Sequence, residues 1–197
     1  MPSTQGWATA PTTLQALIRL VLERRPNTVL ECGSGSSSVW LGYALQRIGH
    51  GRCVSLEHLP QYAEATRAML RQHGLEDVVE VRLAPLTQVD HPELTSYLWY
   101  DTAAVSDLDD IGLVFVDGPP GDLAPLARFP AFPLLRERCT EDAVFLLDDT
   151  QRPDESAISA QWMKQFAAQP LTKGTFGTGW QSVSLGPRDA ARTAGAS

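Results

Sequence analysis

The sequence predicts an α/β fold: a doubly wound, mostly parallel seven-stranded sheet with a C-terminal antiparallel strand pair. Two observations carry that expectation. Strand-like and helix-like segments alternate almost throughout, as they do when parallel strands are joined by helical crossovers. In the strand candidate at residues 111–116 nearly every residue is apolar, as a strand covered on both faces should be. No internal repeat or interdomain linker breaks the pattern, so residues 1–186 read as one domain and the small, polar residues 187–197 as a disordered tail.

The elements follow in order. Leu14, Leu17, Ile18, Val21 and Leu22 recur at helical spacing, which predicts an amphipathic helix over 12–25, ended by Pro26 and Asn27. Residues 28–32 read as a short buried strand, 37–48 as a helix closed by Gly49-His50-Gly51, and 53–57 as a second strand. Pro60 suits a first helical turn and Gly74 a helix end, so 60–73 is helical. Strands are expected at 78–84, 111–116 and 143–147, and helices at 123–139 (broken near Pro130 and Pro133) and 154–168. Residues 171–176 and 180–185 close the sheet as an antiparallel pair turning at Gly177-Thr178-Gly179. Residues 87–110, with Trp99-Tyr100-Asp101, read as an irregular connection suited to a lid or substrate loop.

Composition excludes several function classes. A net charge of −7 gives no basic footprint for nucleic acid. No apolar run approaches the roughly 20 residues of a membrane span. Three widely spaced cysteines (Cys32, Cys53, Cys139) suggest buried thiols rather than disulfides or a zinc site. The N-terminal residues lack the pattern of a signal peptide, so a cytoplasmic location is expected.

The chemistry concentrates at strand ends, where open α/β sheets bind their ligands. The first strand runs into Glu31-Cys32-Gly33-Ser34-Gly35-Ser36, a glycine turn opening a helix. An acid before that turn would repel a dinucleotide pyrophosphate and welcome an amino group or sulfonium, which points to S-adenosylmethionine (SAM) rather than NAD. Glu57, followed by His58, ends the second strand and suits ribose hydroxyls. Ala84-Pro85-Leu86 follows the third and is apolar enough for an adenine face. Asp117-Gly118-Pro119-Pro120-Gly121 ends the fourth, and Asp148-Asp149 the fifth. Carboxylates at the ends of apolar strands are costly unless they bind something. Asp148-Asp149 also reads as a solvated cap for the next helix, and Trp99 and Tyr100 as ordinary core aromatics.

In their order and spacing these stretches, with Arg152 and Glu155, resemble the class I SAM-dependent methyltransferases, in particular a small subgroup with the Asp-Gly-Pro-Pro-Gly motif. The resemblance implies a Rossmann-like fold. It assigns Glu31, Gly33, Ser34, Gly35 and Ser36 to the methionine part of SAM, Glu57 and His58 to the ribose edge, and Ala84, Pro85 and Leu86 to the adenine. It places Asp117 where cofactor and acceptor meet, with Trp99, Tyr100 and Arg152 toward the substrate.

Two proton-removal routes then stand open for an oxygen acceptor. Asp117, Asp148 or Asp149 acts as general base, or Asp117, Asp149 and Thr150 hold Mg²⁺. The chain is distantly similar to metal-dependent catechol-type O-methyltransferases, but Thr150 stands where their Asn would be, and Gly118-Pro119-Pro120-Gly121 replaces their lysine. The expected activity is O-methylation of a neutral or cationic small molecule. The acceptor site is expected to be open or shared across a homodimer. The competing readings are a non-catalytic SAM-binding or partner-binding protein on the same fold and, ranked below it, an NAD-dependent oxidoreductase.

Overall fold

The computed structural model describes residues 9–186, so the expected tail at 187–197 lies outside the described residues. The chain runs α1 (Pro11–Arg24), β1 (Thr28–Cys32), α2 (Ser36–Ile48), β2 (Arg52–Glu57), α3 (Pro60–His73), β3 (Val79–Leu83), β4 (Leu86–Gln88) and β5 (Leu98–Tyr100). It continues through β6 (Ile111–Val116), α4 (Ala131–Leu135), β7 (Cys139–Asp148), α5 (Pro153–Phe166), β8 (Gln169–Gly174) and β9 (Trp180–Ser184). Seven strands form one sheet in the order β3-β2-β1-β6-β7-β9-β8. The first five are parallel; β9 runs antiparallel to β7, and β8 antiparallel to β9. Strand order reverses between β1 and β6, which opens a crevice at their carboxyl ends.

Strand alternation divides the core. Val29, Cys53, Leu113, Phe115, Val144 and Leu146 face α1, α2 and α3. Leu30, Val54, Val114, Val116, Phe145 and Leu147 face the opposite layer, with α4, α5 and the β4–β5 pair. There Phe132 packs against Phe145 with ring centroids 4.7 Å apart, and Trp162 Nε1 donates to the Phe129 carbonyl at 2.9 Å. Such aromatic pairs add about 0.5–1.5 kcal/mol each beyond their buried area.

Two expectations need correction. Residues 87–110 are not simply an irregular connection. Leu86, Thr87 and Gln88 pair antiparallel with Tyr100, Trp99 and Leu98, and both aromatics are buried in the core. Their ring contact at 5.2 Å is packing, supplied by residues that suit strands. The stretch 123–139 is helical only from Ala131 onward. Pro125 and Pro130 each lack the N–H that a helix interior needs, and the intervening residues fold into turns instead.

Candidate active site

The period of two that builds the core also builds the site. Glu31 follows Leu30, Glu57 follows Leu56, Asp117 follows Val116 and Asp148 follows Leu147, each one step beyond a residue of the α4–α5 layer. All four acids therefore turn to the α1–α3 face at the carboxyl end of the sheet. They line one cleft of about 520 Å³, a volume in the usual range for small-molecule sites.

The β1 half of the cleft is built on hydroxyls. Gly33 passes the turn at φ 112°, a conformation that favours glycine, and its N–H continues the ladder to the Leu56 carbonyl at 3.0 Å. Ser38 and Ser55 each donate to Glu31 Oε2 at 2.5 Å. Glu31 Oε1 is buried with no hydrogen-bond partner among the described residues. Burial pushes the Glu31 carboxyl up, against the pull of the neighbouring serine hydroxyls. The buried Ser36 Oγ, at the start of α2, also lacks a partner there. Glu57 accepts from Ser34 Oγ at 3.0 Å and from the Leu59 N–H at 3.0 Å, and His58 Nδ1 lies 3.1 Å from its Oε1.

The β6–β7 half is built on a buried cation that the sequence reading did not single out. Arg128, 3% exposed, reaches in from the proline-rich turns before α4. Its Nη2 lies 3.1 Å from Asp149 Oδ2 and 3.5 Å from Asp117 Oδ1, and its Nε 3.9 Å from Glu155 Oε1. It donates to the carbonyls of Pro119 at 3.2 Å and Asp148 at 3.4 Å. Burial opposes its charge, but Asp117, Asp149, Glu155 and Asp148 outweigh that and hold its pKa above the ordinary value.

Two threonines were also missed. Thr9 Oγ1 donates to Asp117 Oδ2, and Thr13 Oγ1 to Asp148 Oδ1, each at 2.8 Å. Nothing local marks them: Thr9 lies just before α1 and Thr13 in its first turn, and their partners are more than a hundred residues away. Burial pushes the Asp117 carboxyl up to about 7; Arg128 and Thr9 oppose the push, while Asp148 and Asp149 add to it. Its side chain keeps 21% of its exposure through the cleft, so water moderates the effect. Asp148 is also raised, first by burial. Asp149 adopts a left-handed backbone at φ 61°, an uncommon conformation that aspartate tolerates better than most residues.

The cleft brings together Glu31, Gly33, Ser34, Gly35, Ser36, Glu57, His58, Tyr100, Asp117, Asp148, Asp149 and Arg152. Trp99, Ala84, Pro85, Leu86 and Thr150 do not line it. Ala84 and Trp99 belong to the core, where an apolar residue at a strand end gains more from packing than from facing water. The Thr150 N–H donates to the Gly179 carbonyl in the β8–β9 turn. Arg152 pairs with Asp149 at 2.9 Å and reaches Glu155 only at 4.0 Å.

The expected Mg²⁺ set does not fit a metal. Asp117 Oδ1 and Asp149 Oδ2 both face the Arg128 guanidinium, and the third expected ligand, Thr150, is outside the cleft. Among the described residues no group of three His, Cys, Asp or Glu is arranged to hold an ion. No helix among them is long and apolar enough to cross a membrane.

Comparison with solved structures supports the fold. The O-methyltransferase TomG from Streptomyces achromogenes, involved in tomaymycin synthesis and solved with SAM, superposes with a TM-score of 0.66 at 21% identity, over 93% of this chain and 83% of that one. An O-methyltransferase from Bacillus cereus in complex with S-adenosylhomocysteine (SAH) gives 0.66 at 20%, over 89% and 81%. An SAH-bound methyltransferase from Podospora anserina gives 0.66 at 17%, over 92% and 81%. A curated relative, an arginine N(omega)-methyltransferase from Streptomyces achromogenes subsp. streptozoticus, is 41% identical over 63 residues, 32% of this chain. The match spans only 17% of that relative's length. The family model described as "Methyltransferase domain" matches residues 30–150, from the middle of β1 to just beyond Asp149. Since that stretch holds most of the sheet and three of the four strand-end turns in full, the chain belongs to this methyltransferase-domain family.

Proposed function

We infer that the protein is a SAM-dependent methyltransferase acting on a small molecule, with an oxygen as acceptor atom. Glu31 is the observation that carries the cofactor assignment. It is a buried carboxylate in the cleft with one oxygen unpartnered, beside a helix start whose Ser36 hydroxyl is also unpartnered. That pairing suits a ligand with an ammonium and a carboxylate, the two charges of the methionine part of SAM. Glu57, already accepting two hydrogen bonds, is the acceptor for ribose hydroxyls, with His58 at its edge. When bound, SAM supplies a methyl group already activated on its positive sulfur.

What remains for the chain is alignment and proton removal. Holding acceptor and donor in line contributes up to about 7–11 kcal/mol in well-oriented cases. Asp117 is the general base of this reading: it lines the cleft at the sheet's switch point, and its raised pKa suits a proton acceptor near neutral pH. Thr9 fixes one of its oxygens and Arg128 faces the other. Asp149, shared by Arg128 and Arg152, positions the guanidinium groups rather than taking the proton. Tyr100 and Arg152 border the acceptor side. Residues 1–186 form one domain in this reading, the buried Cys32 and Cys53 thiols favour the cytoplasm, and a homodimer completes an open acceptor site.

A nitrogen acceptor is the second reading. It is favoured by the acidic lining (Asp117, Asp122, Asp148 and Asp149), which attracts a cationic amine or guanidine, and by the name of the 63-residue relative.

Calorimetric titration with SAM, SAH and NAD tests the cofactor. Micromolar binding of the sulfur ligands, weakened at least tenfold in Glu57→Ala, is expected. A folded protein that binds neither would sink the reading. Labelled-methyl transfer to phenols, hydroxy acids, amines and guanidines then separates oxygen from nitrogen.

A further inference from the structure

We propose that Arg128 is a built-in cation standing where a divalent metal would sit among the strand-end carboxylates, so that the acceptor half of the site is ordered without a metal. The geometry is that of a filled cation position. Acids from three places converge on one guanidinium: Asp117 beyond β6, Asp149 beyond β7 and Glu155 in α5. Two main-chain carbonyls, of Pro119 and Asp148, complete the shell. A guanidinium offers five donors in a fixed plane, and here three of its nitrogens are engaged. It also stays charged at any working pH.

A magnesium ion in the same place needs oxygens near 2.0–2.1 Å in an octahedron. Asp117 Oδ1 and Asp149 Oδ2, the two oxygens it would need, are the two that face Nη2. Metal and guanidinium therefore exclude one another. In this arrangement Arg128 is a positioning residue. It acts by holding Asp117 and Asp149 in fixed orientations at the cleft, and the proposed methyl-transfer reaction supplies its functional meaning.

The proposal makes a prediction that needs neither methyl donor nor acceptor. The full chain is titrated with Mn²⁺ and the unbound ion followed by electron paramagnetic resonance, for the wild type, Arg128→Ala and Arg128→Lys. The wild type should bind no Mn²⁺ below millimolar concentration. Arg128→Ala opens the carboxylate cluster and should bind one Mn²⁺ at least tenfold more tightly, with Mg²⁺ raising its thermal midpoint but not that of the wild type. Arg128→Lys, which keeps a cation, should behave as the wild type.

One equivalent of Mn²⁺ bound by the wild type at micromolar concentration, and lost in Asp149→Asn, would overturn the proposal. So would a folded Arg128→Ala that binds Mn²⁺ no better than the wild type. If Arg128→Ala does not fold, the wild-type and Arg128→Lys titrations still decide, since tight binding by either overturns it. SAH titration of the wild type separates this failure from failure of the methyltransferase reading.

Discussion

Asp117→Asn probes stability and chemistry in opposite directions. In an unfolded chain an aspartate titrates near ~3.9. In the fold, burial and the neighbouring Asp148 and Asp149 push Asp117 up to about 7. Between those values the folded state holds a proton that the unfolded state has released. The associated stability is complete below about pH 4 and is lost as pH rises through about 7. At about 1.36 kcal/mol per tenfold change the ceiling on this loss is about 4 kcal/mol. The 21% exposure of the side chain and its coupling to Asp148 reduce it to on the order of 1–2 kcal/mol. The amide introduced by the substitution keeps the shape of Asp117 and can still accept from Thr9, but carries no charge. Urea unfolding at pH 5 and pH 8 should therefore show the variant gaining about 1–2 kcal/mol on the wild type as pH rises. Glu31 titrates in both proteins, so the difference reports Asp117 together with its coupling to Asp148. Single-turnover methyl transfer should go the other way: the wild-type rate falls about tenfold per pH unit well below 7, whereas the variant loses that limb and about 10²–10⁴-fold of its rate. A pH-independent stability difference, with the rate limb intact in the variant, would refute both the raised pKa and the role of base.

Two further outcomes follow. Burial raises the Glu31 carboxyl, and the ligand it is proposed to hold is cationic, so SAH affinity should rise with pH through that titration; Glu31→Gln should bind more weakly and lose the dependence, as calorimetry over a pH series would record. A Cβ at Gly118 would run into the Tyr100 hydroxyl and sit 3.2 Å from the Cys32 carbonyl, so Gly118→Ala should cost about 1–3 kcal/mol in urea unfolding, and an unchanged midpoint would mean that β5 yields readily there.

The sheet was legible because its information is local and repeated. A six-residue apolar run marks β6, shorter apolar stretches mark β1 and β2, and each runs into an acid. Once parallel strands are assumed, the period of two puts those acids on one face with no further input. What was hidden is what reaches the acids from elsewhere. Arg128 is a single basic residue between prolines, with the local appearance of a surface residue; only the turns that replaced the expected helix carry it inward. Thr9 and Thr13 act across more than a hundred residues of sequence, and no local pattern encodes such a partner. Trp99 was misjudged for a related reason. An aromatic residue in a long connection reads alike whether it faces a ligand or a core, and the short β4–β5 pairing that decides the matter joins strands only three residues long.

Crowding four acids onto one sheet edge is unfavourable, and the fold offsets it differently in the two halves of the cleft. Near β1 and β2 the compensation is neutral: Ser34, Ser38 and Ser55 hydrogen-bond the carboxylates but bring no positive charge. Near β6 and β7 it is ionic, because Arg128 and Arg152 reach Asp117, Asp149 and Glu155. The first half is therefore electrostatically incomplete and gains from a cationic ligand; the second already contains its cation. For a methyl transferase this division has a consequence. The ammonium that donor and product share would fall beside the incomplete half, and the sulfonium that only the donor carries would face the acceptor side at Asp117. In the acceptor half the guanidinium groups keep their charge through the turnover, and Asp117 changes its own as it takes the proton. Donor should then bind more tightly than product by a margin that shrinks with salt, whereas acceptor affinity should respond to pH through Asp117.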